Sequence, residues 1–126
     1  MGLPSKHRLK KRSHFQTVYR KGISRSSRHL ILRAYTVEND SKLIRENKLS
    51  ESKIGISISR KVSKKAVERN QIKRRIRAVF RSLLPQISSG WLIVIIVKPE
   101  AKKCKYEHFL RELEKLLIKA KIIHGY

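Results

Sequence analysis

Residues 60–81 read RKVSKKAVERNQIKRRIRAVFR, with ten Lys or Arg residues and a single acid, Glu68. When the stretch from residue 65 to residue 84 is wound as a helix, its apolar side chains fall into one stripe. The stripe consists of Ile72, Ile76, Val79, Phe80 and Leu83. This pattern predicts a helix that packs one side against a hydrophobic core.

The opposite face of this predicted helix carries a row of cations. Asn70, Arg74, Arg77 and Arg81 recur at helical spacing, with Lys73 beside them. A charge run is ordinarily a solvated surface, but solvated helix faces mix signs because like charges one turn apart cost about 0.2–0.5 kcal/mol. This face has almost no acids, which favours a polyanion as its partner.

The charge of the whole chain points the same way. The 126 residues carry 32 Lys or Arg against 9 Asp or Glu, a net charge of +23, and 40% of them are hydrophobic. This length and apolar content predict one globular domain, residues 1–126. Because self-repulsion destabilises a compact monomer, a polyanionic partner is expected. Residues 1–33 hold ten cations and no acid, and residues 1–12 are predicted to form a mobile basic arm near the basic helix.

Cysteine usage and hydropathy indicate a cytoplasmic protein. Cys104 is the only cysteine, which excludes a disulfide framework or a zinc site built from cysteines alone and suits a reducing compartment. The charged N-terminus lacks the apolar core of a signal peptide. The longest apolar run, residues 92–97, is too short to span a bilayer. No membrane partner and no obligate protein partner is expected.

The remaining elements predict an α+β fold. A first helix over residues 14–21 is capped by Ser13 and ended by Gly22, and the last helix covers residues 105–121. Strands are predicted at 29–37, 53–59 and 91–97, with a possible extra strand at 24–28. The architecture is a single-domain two-layer sandwich, a mixed β-sheet of about four strands packed by three helices. The strands on either side of the basic helix are expected to be parallel.

A second candidate site lies between the first helix and the sheet. Phe15 and Tyr19 share a helix face, so either both rings belong to the core or a ring borders a groove. The strand at 53–59 turns its isoleucines to one side and its small residues, Gly55, Ser57 and Ser59, to the other. That small side fits the floor of a groove, and it fits a solvent-facing strand equally well. Arg33 and Tyr35 alternate outward from the neighbouring strand and could line the wall.

The chain offers no recognisable catalytic apparatus of its own. Its nine acids are scattered, with no Asp pair for two-metal phosphodiester chemistry. The five histidines show no metal-ligand spacing, and no Gly-rich phosphate loop is present. We therefore predict no catalytic residue and no metal ligand, and expect phosphate binding by Arg and Lys side chains.

Residues 60–77 resemble the signature of the bacterial ribonuclease P protein component. That signature has a basic pair after a strand, then Arg-Asn-Arg, an apolar residue and Lys-Arg. The matching positions are Arg60, Lys61, Ala66, Arg69, Asn70, Ile72, Lys73 and Arg74. The chain departs at Gln71, where the family usually has the second Arg. The basic start at residues 8–10, the Phe15/Tyr19 helix and the strand at 91–99 extend the resemblance over nearly the whole chain.

The resemblance implies a fold, a partner and a reaction. The fold is a small α+β domain with a left-handed βαβ crossover, against the usual right-handed preference, similar to the second domain of ribosomal protein S5. The partner is the catalytic RNA of ribonuclease P, with which the protein cleaves the 5′ leader from precursor tRNA. In that family the RNA and its Mg²⁺ ions perform the hydrolysis, so this chain would be the protein subunit of an endoribonuclease.

The resemblance and the residue pattern together define two predicted sites. The RNA-binding site consists of Arg60, Lys61, Lys64, Lys65, Arg69, Asn70, Lys73, Arg74, Arg77 and Arg81. The cleft for the leader consists of Phe15, Tyr19, Arg33, Tyr35, Ser57 and Ser59. By composition alone the alternative is a non-catalytic ribosomal or other structural RNA-binding protein. A basic DNA-binding protein is a third reading, which no helix-turn-helix supports.

Overall fold

The computed structural model describes residues 3–36 and 51–123. Its three helices are α1 (Arg12–Lys21), α2 (Ala66–Leu83) and α3 (Tyr106–Lys119). Its four strands are β1 (Ile23–Ser26), β2 (Leu30–Thr36), β3 (Lys53–Ser57) and β4 (Trp91–Val97). Short 3-10 helices cover Ser5–His7, Leu84–Gln86 and Pro99–Lys103.

The four strands form one mixed sheet in the order β1-β2-β4-β3. β1 pairs with β2 and β2 with β4 in antiparallel fashion, whereas β3 and β4 are parallel. The β3–α2–β4 crossover therefore joins two neighbouring parallel strands, as predicted. The α+β class and the mixed sheet with three helices are confirmed, while the left-handed path of the crossover stays a prediction.

Helices α2 and α3 cover one face of the sheet and build the larger core. The stripe predicted on α2 is buried throughout, and Phe80 is 0% exposed. Phe109 and Leu113 of α3 meet it over alternate residues of β2 and β4. Each fully buried apolar side chain of this size contributes about 1.5–3 kcal/mol. This core fixes α2 with its other side facing outward.

Helix α1 covers part of the opposite face and builds a smaller core. Val18 of α1 packs there with Leu9, Tyr35, Leu92 and Val94. Strand β4 is thus buried on both faces, as its unbroken apolar sequence predicts. Because α1 has only ten residues, it leaves the far end of this face less covered.

The N-terminal segment differs from the prediction, because residues 3–11 lie against β3 instead of projecting as a free arm. Leu3 is buried in the larger core and Leu9 in the smaller one. The Leu9 amide donates to the Ile54 carbonyl at 2.9 Å, beside a parallel bridge between Arg8 and Ile54. The charge of the segment suggested mobility, but its two leucines and the open edge of β3 hold it in place.

The predicted element boundaries agree with the structure to within two residues. One local prediction is wrong: α1 begins at Arg12, and its cap position is Lys11, without a side-chain cap bond. Ser13 therefore lies inside the first turn. The predicted loop at 38–52 lies almost wholly outside the described residues, and Val37, at the end of the strand predicted at 29–37, also lies outside them.

Candidate nucleic-acid interface

The outward side of α2 carries the predicted row of cations, which we call the basic face. Asn70, Arg74 and Arg81 are exposed, and Lys73 and Arg77 are half-buried. Over residues 3–36 and 51–123 none of these cations has a carboxylate within ion-pair distance. Like charges at helical spacing repel one another, so the basic face is suited to a polyanion.

The one acid of α2 is turned away from the basic face. Glu68 accepts a hydrogen bond of 2.6 Å from Ser63 Oγ and lies 3.8 Å from Lys102 Nζ. The Ser63 bond, with Lys102 and Lys65 nearby, holds the pKa of Glu68 below its usual value. The carboxylate therefore stabilises the turn before α2 and leaves the cations of the basic face uncompensated.

The loop before α2 presents four more predicted RNA-binding residues. Arg60, Lys61, Lys64 and Lys65 are all exposed. Val62 is buried between them and anchors the loop in the larger core. The Lys65 amide donates to Ser63 Oγ at 3.2 Å, so the loop has a fixed path to the helix.

Arg69 has a structural task that the sequence did not indicate. Its Nη1 donates to the carbonyl oxygens of Ser63 at 2.9 Å and of Lys64 at 3.0 Å. The helix spacing left two possibilities for this residue, a contact with ligand or a path past the edge of the core. In the structure its guanidinium binds the preceding loop, so Arg69 positions Lys64 and Lys65.

The docked N-terminal segment extends the basic face toward α1. Burial, together with the positive charge of nearby Arg8, lowers the pKa of Arg77. Arg8 is held there by a 2.8 Å bond from its Nε to the Leu3 carbonyl. The two basic segments predicted to share a surface therefore meet at this pair of arginines.

A basic pocket of about 300 Å³ opens beside Arg8. It is lined by Ser5, Arg8, Lys10, Lys11, His14 and Lys53. Because residues 1–12 were predicted to be mobile, Lys10 and Lys11 were not expected to line a fixed pocket. The signal available was the pair of apolar residues within this charged segment, Leu3 and Leu9, which are buried in the two cores.

The Phe15 ring lies directly over Gly55 of β3. A Cβ at residue 55 would come within 2.7 Å of Phe15 Cε1 and Cζ. The small side of β3 is therefore the floor on which the Phe15 ring rests. This contact favours the groove interpretation and not the alternative of a solvent-facing strand. Phe15 is half-buried against the smaller core, whereas Tyr19 is 41% exposed.

Next to these rings runs a row of residues across all four strands, which we call the open strip. Register places Ser26, Ile31, Ile96 and Ser57 side by side. Ile31, Ile96 and Ser57 are half-buried, and Ser26 is exposed. The open strip has an apolar centre with hydroxyl groups at both ends, and α1 leaves it partly exposed.

The other predicted cleft residues have three different placements. Arg33 lies under α1 in register with Val94 and Ser24. Tyr35 is on the same face but is 7% exposed in the smaller core, so it packs under α1 and does not line a wall. Ser59 is exposed beyond the end of β3, where its Oγ accepts from the Lys61 amide at 3.2 Å.

Hydropathy adds one observation about the helices. Among the residues that the structure describes, no helix combines the length and the apolar character needed to cross a bilayer.

Comparison with known proteins identifies a single family. The ribonuclease P family model matches residues 3–121. The chain is 53% identical to the ribonuclease P protein component of Microcystis aeruginosa and 49% identical to that of Picosynechococcus, in each case over 126 residues and the full length of both chains. Its structure resembles the RNase P protein of Staphylococcus aureus, with a TM-score of 0.78 and 30% identity over 94% of this chain and 98% of that one. It also resembles the RNase P protein of Thermotoga maritima, with a TM-score of 0.72 and 26% identity over 87% of this chain and 96% of that one.

Proposed function

The chain belongs to the ribonuclease P protein component family, the protein subunit of the enzyme that matures the 5′ ends of tRNA, and we propose that its two surfaces bind two different RNAs. The basic face and the loop before α2 bind the catalytic RNA. The open strip, with Phe15 and Tyr19 at its border, binds the 5′ leader of precursor tRNA. This assignment of two RNA-binding surfaces is based on the packing of Phe15 on Gly55 beside the open strip.

The chemistry of the open strip fits an unpaired strand. Half-buried Ile31 and Ile96 offer an apolar floor for bases, and the exposed Tyr19 ring offers a surface on which a base can stack. Each base–aromatic stack contributes about 1–3 kcal/mol and tolerates any sequence. The nearby cations of α1 can neutralise the leader phosphates.

The basic face fits a folded RNA whose phosphates recur over a broad surface. Arginine offers a planar fork that matches phosphate in a bidentate manner. The row of Arg74, Arg77 and Arg81 covers about two turns of a helix that is fixed by its buried stripe. Such a row binds phosphates without reading a sequence, which suits a permanent RNA partner.

We further propose that hydrolysis takes place in the RNA and that Mg²⁺ is bound mainly there. Mg²⁺ prefers several oxygen ligands in octahedral geometry. Within residues 3–36 and 51–123 the only group of candidate ligands combines a thiol, an imidazole and a carboxylate, and that set does not fit Mg²⁺. The contribution of this chain is then to hold the catalytic RNA and the leader. The single cysteine suits a reducing cytoplasm, where we place this function.

Cleavage of precursor tRNA by the catalytic RNA at low Mg²⁺, with and without the chain, tests the assignment. We expect the protein to increase cleavage and to increase affinity for precursor tRNA more than for mature tRNA. Cleavage unchanged by the protein would contradict the assignment and favour a purely structural RNA-binding role.

Substitution of the two aromatics tests the leader site. Tyr19→Ala should weaken precursor binding by the holoenzyme and leave the affinities for mature tRNA and for the catalytic RNA unchanged. Phe15→Ala should act likewise and also destabilise the fold, because truncating a packed ring costs about 3–5 kcal/mol when it is fully buried. Ile118→Ala, at a comparably exposed residue of α3, is the matched control. Loss of stability without a leader-specific loss would show that the rings only pack.

A further inference from the structure

Three potential metal ligands meet where β2, the 3-10 helix at Pro99–Lys103 and α3 come together. They are His29, Cys104 and Glu112, and one ligand atom of each lies within 4.8 Å of the other two. His29 lies 83 positions before Glu112 in the sequence, so tertiary packing brings the three together. We infer that His29 Nδ1, Cys104 Sγ and a Glu112 carboxylate oxygen form a site for one zinc-like divalent cation.

The geometry of the cluster is close to what such an ion requires. Zn²⁺ binds thiolate, imidazole and carboxylate at about 2.0–2.3 Å in a tetrahedron, so its ligand atoms lie roughly 3.5 Å apart. His29 Nδ1 is 2.9 Å from Glu112 Oε2, and Sγ lies within the 4.8 Å limit of both. Small side-chain rotations would admit the ion, with water as the fourth ligand.

The three ligands are held by fixed backbone. The His29 amide donates to Glu112 Oε1 at 3.1 Å, and the His29 carbonyl accepts from the Lys98 amide at 2.9 Å. The Cys104 amide donates to the Ala101 carbonyl at 3.0 Å. Because each ligand has its own support, the site is preorganised and does not depend on folding of a loop around the ion.

Access and charge also suit an ion that enters from solvent. The side chains of His29 and Glu112 are each 18% exposed, whereas Cys104 is 6% exposed. Burial, with the neighbouring Glu112 carboxylate, raises the pKa of the Cys104 thiol, and binding of a metal ion as thiolate requires loss of the thiol proton. A bound dication displaces that proton. The thiolate and the carboxylate then balance its two charges.

Two cations near the cluster bear on its charge. Arg28 is close enough to oppose the rise in the pKa of the Cys104 thiol, but it is exposed and can remain in solvent. Lys98 directs its Nζ to Ser26 Oγ and the Ser27 carbonyl. Neither cation forms an ion pair with Glu112 among the described contacts, so the carboxylate remains available to the site.

The simpler interpretation is that Glu112 only fastens the start of β2 to α3 through His29. That role explains two of the three residues. It does not require the single cysteine of the chain to place its sulfur beside the same carboxylate, and a sulfur, nitrogen and oxygen set is the one that zinc prefers over magnesium or calcium.

Titration of the chelator-treated full-length chain with Co²⁺ and then Zn²⁺ tests the site. We expect one Co²⁺ per chain, with a thiolate-to-cobalt charge-transfer band and the intense visible bands of tetrahedral cobalt, and displacement by Zn²⁺. Zinc should also raise the melting temperature as its concentration rises. Absence of the charge-transfer band at one equivalent of Co²⁺ would overturn the proposal.

Variants separate this site from adventitious binding. Cys104→Ser should abolish the charge-transfer band, and Glu112→Gln should weaken binding on the order of tenfold or more. His108→Ala, at an exposed histidine of α3 outside the cluster, should bind as the parent does. Binding that persists in Cys104→Ser, or that is lost instead in His7→Ala at the other histidine–glutamate pair, would overturn the assignment. Thermal melting of each variant without metal shows whether it is folded. If Cys104→Ser does not fold, the binding result for Glu112→Gln decides the assignment.

Discussion

The Arg33 guanidinium donates a hydrogen bond of 2.6 Å from Nη2 to the backbone oxygen of Tyr19. The bond joins the middle of β2 to the last turn of α1, and so sets the height of Tyr19 over the sheet. Arg33 Nε is buried and has no hydrogen-bond partner among the described residues. The arginine predicted to meet the leader directly therefore also positions the aromatic beside it.

Replacing Arg33 should loosen α1 and weaken leader binding together. Arg33→Met keeps much of the stem but removes the bond, and we expect it to lower the free energy of unfolding by about 1 kcal/mol. Precursor tRNA affinity should fall while catalytic-RNA affinity is retained. Urea unfolding and holoenzyme binding measure the two effects, with Arg25→Met on exposed β1 as the control. Reduced stability with unchanged precursor affinity would mean that the leader does not depend on the position of α1.

Gly55→Ala should displace the Phe15 ring. The added Cβ would lie 2.7 Å from the ring and 3.2 Å from Leu9 Cβ, so the ring has to move or the strand has to shift. Overpacking of this kind costs about 1–3 kcal/mol, and the displaced ring should reduce precursor affinity.

A double-mutant cycle isolates this contact. In a Phe15→Leu background the smaller side chain leaves room, so Gly55→Ala should cost much less stability there than in the parent. Equal costs in the two backgrounds would show that Gly55 is required for another reason, such as backbone freedom.

Local periodicity predicted most of the fold correctly. The apolar stripe of α2 depends on neighbours in sequence, as does the alternation of isoleucine with small residues in β3. Both could therefore be predicted from the sequence. The burial of Tyr35 could not, because it depends on α1 lying across that face of the sheet. The contacts of Arg69 with the preceding loop and the approach of His29 to Cys104 likewise arise from tertiary packing. The docking of residues 3–11 was not predicted, because the charge of this segment indicated mobility. In the structure the burial of its two leucines holds it in place.

Salt dependence should distinguish Arg74 from Arg69. Arg74 is exposed on the basic face, so Arg74→Ala should remove a phosphate contact and lower the log–log salt slope of catalytic-RNA binding by roughly 0.7–0.9. Arg69→Ala should instead release the loop before α2 and mainly reduce stability. Lys115→Ala, at an exposed position of α3, serves as the control. An unchanged slope for Arg74→Ala would remove that residue from the contact surface.

Sulfate should stabilise the protein in the absence of RNA by binding to native cation clusters. Arg8 and Arg77 lie close together without an acid beside them among the described residues, and the basic pocket adds Lys10, Lys11 and Lys53. An anion bound there relieves repulsion in the folded state alone, so it shifts the folding equilibrium by mass action. Circular dichroism melts with increasing sodium sulfate should show a rising melting temperature that saturates, whereas general exclusion of sulfate from the surface gives a gain that continues to rise. Sodium chloride at matched ionic strength measures screening alone, and Arg77→Ala should lose part of the saturable gain. An equal gain in chloride would attribute the effect to screening instead of a bound anion, and an undiminished gain in Arg77→Ala would show that sulfate does not bind at the Arg8–Arg77 pair.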